Sequence, residues 1–331
     1  MARPSYLPDN FTLSLVAVVA LASLLPASGA AAHFFEALTT VAIGVLFFLH
    51  GAKLSREALV GGILHWRLHL LVFAGTFILY PVLGLVLRPV LGQLVTPALY
   101  AGVLFLCVLP STVQSSIALV SMARGNVSAA ICSASASTLV GVFLTPVLVG
   151  LVVLPGSHAT ASLDAIGRIL LQLMLPFMAG HLLRPWIGGV VRRHGAKLRF
   201  VDQGSILLVV YTAFSAAVIE GLWQQVSLAT LAGLLVVCAV LLALALTIMT
   251  WAARRFGFAT PDEIAIVFCG SKKSLASGIP MAKILFASGT VGTIVLPLML
   301  FHQMQLMVGA LLARRYANRP QIAELAQPLQ V

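Results

Sequence analysis

The sequence predicts an all-α polytopic membrane protein of ten transmembrane helices, arranged as two inverted five-helix repeats. Three observations predict it. Of the 331 residues, 60% are hydrophobic and 9% are charged, whereas a soluble domain carries about 25% charged residues. The basic residues alternate from one inter-span connection to the next, as the positive-inside rule requires. Two apolar stretches, each the fourth of its half, are interrupted mid-span by polar residues, a pattern that marks substrate sites in transporters built from inverted repeats.

Hydropathy places the spans at roughly 11–29, 32–50, 68–87, 97–123, 127–153, 163–183, 201–220, 226–250, 262–287 and 291–312. Several have the ~20 residues that a spanning helix needs, and the fourth and ninth run longer. Span 1 has a second reading as a signal peptide, because Arg3, an apolar run and Ala27-Ser28-Gly29-Ala30-Ala31-Ala32 resemble a leader with a small-residue cleavage site. One set of connections holds Arg3, Lys53, Arg56, Arg67, Arg124, Arg184, Arg192, Arg193, Lys197, Arg199, Arg254, Arg255, Arg314, Arg315 and Arg319; the other holds Arg88, Arg168 and Lys283. That bias of fifteen to three puts both termini in the cytoplasm and suits an inner-membrane protein. The whole chain, 1–331, reads as one membrane domain with repeats at about 11–153 and 163–312 and a short cytoplasmic tail at 317–331. Residues 53–66 and 185–198 are too polar to span, and Pro185 to Lys197 reads as an interfacial helix with Trp186 at headgroup level.

The ninth span carries the chemistry. Lys272 lies about 13–15 Å along a helix from Asp262-Glu263, near the middle of a ~30 Å hydrocarbon core. A cation there costs about 2.5–3.5 kcal/mol even on the lenient insertion scale, and Lys273 doubles the problem. Gly270, Ser271, Ser274, Gly278 and Pro280 flank the pair and predict a broken helix. The carbonyls that end a half-helix can hold sodium or an ammonium, so a lysine can stand in for an ion, pair with an anionic substrate or carry a proton. In the fourth span Ser111, Thr112, Gln114, Ser115 and Ser116 follow Pro110. Lone serines usually bond back to their own helix; five polar residues in six positions beside a proline indicate a site, with half-helix amino ends suited to an anion. Ser133 and Ser137 share a face of the fifth span and read as close packing or as lining of the crossing. His302 and Gln305 share a face of the tenth. Asn126 reads as a cap, His50 and His181 as interfacial, and Asp202 as a partner of the basic run 192–199. The four cysteines lie in apolar segments without metal spacing.

With these residues in view, the chain resembles the bile acid:sodium symporter superfamily (solute carrier family 10-like), in its SBF-like bacterial branch. LPSTVQSSIALVSMARGNVSAAICSASAS (109–137), FLTPVLVGL (143–151), VDQGSILLVVYTAFS (201–215) and FCGSKKSLASGIPMAKILF (268–286) carry the resemblance, which covers essentially the whole chain. It implies a panel of spans 1, 2, 6 and 7, and a core of spans 3–5 and 8–10 in which spans 4 and 9 unwind and cross. It also implies sodium near Ser115 and Ser116, where relatives hold a serine-asparagine pair. One departure stands out: Phe268 falls at the relatives' sodium-ligating glutamate and Lys272 at their glutamine. With that departure, neither sodium coupling nor a bile-acid substrate follows from the resemblance alone, and the coupling ion is left between Na+ and H+.

The expected function is secondary transport of a small organic anion by alternating access, with the site at the crossing and membrane lipid as the surroundings. The candidate site comprises Ser111, Thr112, Gln114, Ser115, Ser116, Ser133, Ser137, Ser271, Lys272, Lys273, Ser274, His302 and Gln305. A regulatory or scaffold protein on a transporter fold is the alternative. Nucleic-acid binding does not fit basic residues scattered between apolar spans. Enzymatic chemistry, a resident metal and an organic cofactor have no motif here.

Overall fold

The computed structural model describes residues 10–53, 65–153 and 163–319, and the described residues form helices without a strand. The longer helices are α1 (Asn10–Leu24), α2 (Gly29–Lys53), α3 (Trp66–Val86), α4 (Pro97–Val108), α5 (Gln114–Met122), α6 (Val127–Val153), α7 (Leu163–Arg193), α8 (Gly195–Ile219), α9 (Leu228–Arg255), α10 (Thr260–Gly270), α11 (Leu275–Leu285) and α12 (Ser288–Ala317). Six of these stretches, in α2, α3, α6, α8, α9 and α12, are long and apolar enough to cross a membrane. The chain is thus a multi-pass helical membrane protein.

Both expected breaks are present. The fourth stretch divides into α4 and α5, and the ninth into α10 and α11. Each half has 12 residues or fewer, which is about 18 Å of helix against a ~30 Å core. Pro110 explains the first break, because it has no N–H to offer Leu106 and pushes Leu109 out of the helical region; Leu109 has ψ 154°. The second falls at Ser271, with Ser274 restarting the helix by accepting a hydrogen bond from Ser277 N at 3.2 Å.

Two expectations need correction. Residues 185–197 do not form a separate surface helix: α7 continues through Pro185 to Arg193, and α8 starts at Gly195. A polar stretch can extend a helix that begins in an apolar one, and Pro185 does not end α7. The first span ends at Leu24 rather than residue 29, with Pro26 just beyond the helix and Gly29 at φ +57° where the chain turns. Most of 53–66, and 320–331 of the tail, lie outside the described residues.

Helices α1, α2, α7 and α8 pack on one another. The α2–α7 contact is the tightest: a Cβ on Gly51 would sit 1.9 Å from Phe177 O, and one on Gly180 would sit 1.9 Å from Phe48 O. Small residues let two backbones touch where no hydrophobic effect operates between helices in lipid. The remaining helices pack around the two breaks, and α8 meets α11 and α12. Asn126 is the cap expected of it. Its side chain accepts from Ala129 N at 3.0 Å and donates to Asp262 at 2.7 Å, joining the start of α6 to that of α10.

Candidate functional site

The two breaks meet each other. Ser111 Oγ donates to Cys269 O at 2.5 Å, Ser116 Oγ to Phe268 O at 3.1 Å and Ser274 N to Pro110 O at 2.9 Å. The carbonyls and amides left over where one helix opens are thus satisfied by the other, as buried backbone requires.

Lys273 closes the arrangement. Its Nζ donates to Cys107 O and Leu109 O at 2.8 Å each and to Thr76 O at 2.7 Å, and lies 4.3 Å from the centre of the Tyr80 ring. The sequence explains why those oxygens are free. Cys107 O would take Ser111 N in a continuing helix, but that amide donates to Ser137 Oγ at 3.0 Å. In α3 a π-turn over Gly75–Leu79 gives Tyr80 N to Gly75 O, and the next residue, Pro81, has no N–H for Thr76. An ammonium offers three donors, and three acceptors face it. Two of them belong to the carboxyl end of α4, where the helix dipole favours positive charge.

Lys272 is different. It is equally buried, yet its Nζ has no hydrogen-bond partner among the described residues and rests 5.9 Å from the Phe268 ring. Gln305 fixes the backbone beside it, accepting from Lys273 N and donating to Lys273 O, both at 2.9 Å, while contacting His302 Nδ1 at 2.9 Å. Ser271 Oγ bonds back to Val267 O, and Ser271 O accepts from Tyr80 OH. Ser133 Oγ lies 2.7 Å from His69 Nδ1.

A cavity of about 890 Å³ lies beside the crossing. Thr112, Gln114, Ser115, Ser274 and His302 line it; Ser111, Ser116, Ser133, Ser137, Ser271, Lys272, Lys273 and Gln305 do not. The first group surrounds the amino ends of α5 and α11, and the second builds the crossing behind them. The facing wall, from α2 and α8, carries His50, Lys53, Asp202 and Gln203. Sequence reasoning does not find these as a site. A signal is present in VDQG at 201–204, but a carboxylate so near the basic run 192–199 has a simpler explanation in the sequence. Among the described residues its ion-pair partner is Lys53, 149 positions away, the side chains of Arg192 and Arg199 lying outside them, and His50 lines the cavity beside it.

Two broken helices that share their backbone hydrogen bonds beside a cavity, within a bundle of long apolar helices, are an arrangement on which transporter sites are built. The SBF-like CPA transporter family model matches residues 9–318, so the chain belongs to that family. It is 64% identical to an uncharacterized protein of Pseudomonas aeruginosa and 56% identical to YfeH of Escherichia coli strain K12, each over 96% of both chains. It is 27% identical to sodium/bile acid cotransporter 7 of Danio rerio over 91% of both. The protein is a membrane transporter of the type to which solute carrier family 10 belongs, and not an enzyme.

Proposed function

We propose that the protein moves a small organic anion across the inner membrane by alternating access, without sodium. One observation carries this reading: the amino ends of α5 and α11 both face the 890 Å³ cavity, and paired half-helix amino ends favour a negative group. In this reading the helices make ten crossings in a single domain, with inverted repeats at about 11–153 and 163–312, both termini and the tail in the cytoplasm, and α1, α2, α7 and α8 as the panel. The cavity runs from the crossing toward Lys53, Ser121 and Val127, the side that the basic bias makes cytoplasmic, which is an inward-open state.

The absence of sodium coupling rests on Lys273. Its ammonium already fills a set of backbone carbonyls at the crossing, and a second cation a few ångströms away would meet poorly screened repulsion. Phe268, where relatives of the sodium-dependent kind supply a carboxylate, is a buried ring. The test is thermal unfolding of purified protein titrated with sodium chloride or potassium chloride at equal ionic strength, with and without a panel of organic anions. Ligands that bind the folded form raise its stability by mass action. At least one anion should do so, and sodium should add nothing over potassium. A sodium-specific rise would return the protein to the sodium symporters.

A further inference from the structure

We infer that Lys53 is the cation that receives the substrate's anionic group, and that Asp202 is a stand-in counter-ion that the substrate displaces. The inference deepens the anion-transport reading and rests on it. Among the described residues lining the cavity, Lys53 and Asp202 are the charged ones that are neither histidines nor set behind its wall. The crossing lysines do not reach that space. An anion seated between the α5 and α11 amino ends therefore finds its full positive charge across the cavity, on α2.

Asp202 is not held as a structural carboxylate is. Elsewhere the chain builds such a group: Glu263 takes Arg254 at 3.0–3.2 Å through both oxygens and Tyr316 OH at 2.8 Å. Asp202 gives one oxygen to Lys53, while Oδ1 is buried with no hydrogen-bond partner among the described residues. Lys53 is thus its one described anchor. A buried oxygen left unpaired is costly, and in a site built only for stability it would have acquired a donor. The arrangement instead keeps Lys53 neutralised while the cavity is empty. A carboxylate or sulfonate entering from the cavity exchanges for Asp202, so the charge count at Lys53 is conserved. The displaced carboxylate loses its counter-ion and turns to the water of the cavity it lines. That is a cost that the anion's contacts at the half-helix amino ends must offset and that Asp202→Asn removes.

The two residues then have opposite signs in binding, which a structural ion pair would not show. The test uses full-length purified protein and thermal unfolding against the potassium salts of acetate, benzoate and cholate, with potassium chloride at matched ionic strength as baseline. For whichever anion stabilises the wild type, Lys53→Gln should weaken binding at least tenfold and Lys53→Arg should keep it within about threefold. Asp202→Asn, which removes the competitor, should tighten binding about threefold or more. Unchanged binding in Lys53→Gln, or weakened binding in Asp202→Asn, overturns the inference while anion binding stands. Stabilisation of the wild type by none of the three overturns both. Should Lys53→Gln fail to fold, the sign of the Asp202→Asn effect decides.

Discussion

At the scale of single residues, two adjacent lysines have opposite fates. Lys273 satisfies three carbonyls without helical donors, Thr76 O opposite Pro81 and Cys107 O and Leu109 O at the break beside Pro110. Replacing it by methionine strands those oxygens in a buried site, at about 1–3 kcal/mol each before relaxation. Lys273→Met is expected to lose about 3 kcal/mol or more, seen as poor yield and early thermal unfolding in detergent. Among the described residues the Lys272 amine has a ring 5.9 Å away and no hydrogen-bond partner, so Lys272→Met replaces a buried amine with a side chain of similar length. That variant should unfold within about 1 kcal/mol of the wild type, or above it. Equal damage from both substitutions would contradict the assignment of the structural role to Lys273 alone. The sequence places both lysines at the break but does not rank them. Both lie in the non-helical link between α10 and α11, and which side chain meets carbonyls depends on α3 and α4, neither adjacent in sequence.

Among the helices, close approach at glycines does the joining. Gly51 and Gly180 each touch a carbonyl of the opposite helix, and α2 and α7 cannot separate without losing that whole seam. Gly51→Ala puts a methyl 1.9 Å from Phe177 O, so the helices must part, at about 1–3 kcal/mol. Gly44 lies on the same helix, and a methyl added there would meet nothing within 4 Å. Gly44→Ala should therefore change stability by less than about 1 kcal/mol in the same unfolding measurement. Similar effects at the two positions would mean that the α2–α7 seam does not carry stability. The glycines are visible in the sequence, but their partners on α7 are not, because contact between helices so far apart in the chain leaves no periodic trace in it.

For the whole molecule, one end is closed and the other open. Lys283 Nζ and Ser288 Oγ both donate to Glu36 Oε1, at 3.1 and 3.2 Å, tying α11 and α12 to α2. At that same end Gly292 packs against Ala217 and Gly289 against Glu220, bringing α12 onto α8. The cavity occupies the opposite end of the same boundary. Loss of the Glu36 link should favour opening on its side. In a Cys132→Ser background, Ser115→Cys places a thiol in the cavity wall, while Cys107, Cys238 and Cys269 stay buried. An impermeant thiol reagent should reach it from the cytoplasmic side in the parent protein. Adding Lys283→Met should raise labelling from the outer side severalfold. No change in sidedness would show that this link does not hold the outer end shut.

The membrane class, the positions of the long apolar helices and the two breaks are all legible in the chain before it folds. They follow from properties local to each segment: hydropathy must match a bilayer, and polar residues clustered beside Pro110 and Gly270 mark the two openings, whereas Pro146, Pro176, Pro185, Pro280 and Pro297 lie inside helices. The serines and lysines of the breaks are legible too, because polar groups at mid-span are too costly to be incidental. Folding alone divides them into those that build the crossing and those that face the cavity. Folding also brings Lys53 to Asp202, and both to the wall opposite the half-helix amino ends. Each of these two sits near the polar end of its own helix, where a charge needs no special explanation. Their role arises from the packing of α2 against α8, and that is a property of the folded chain rather than of either segment.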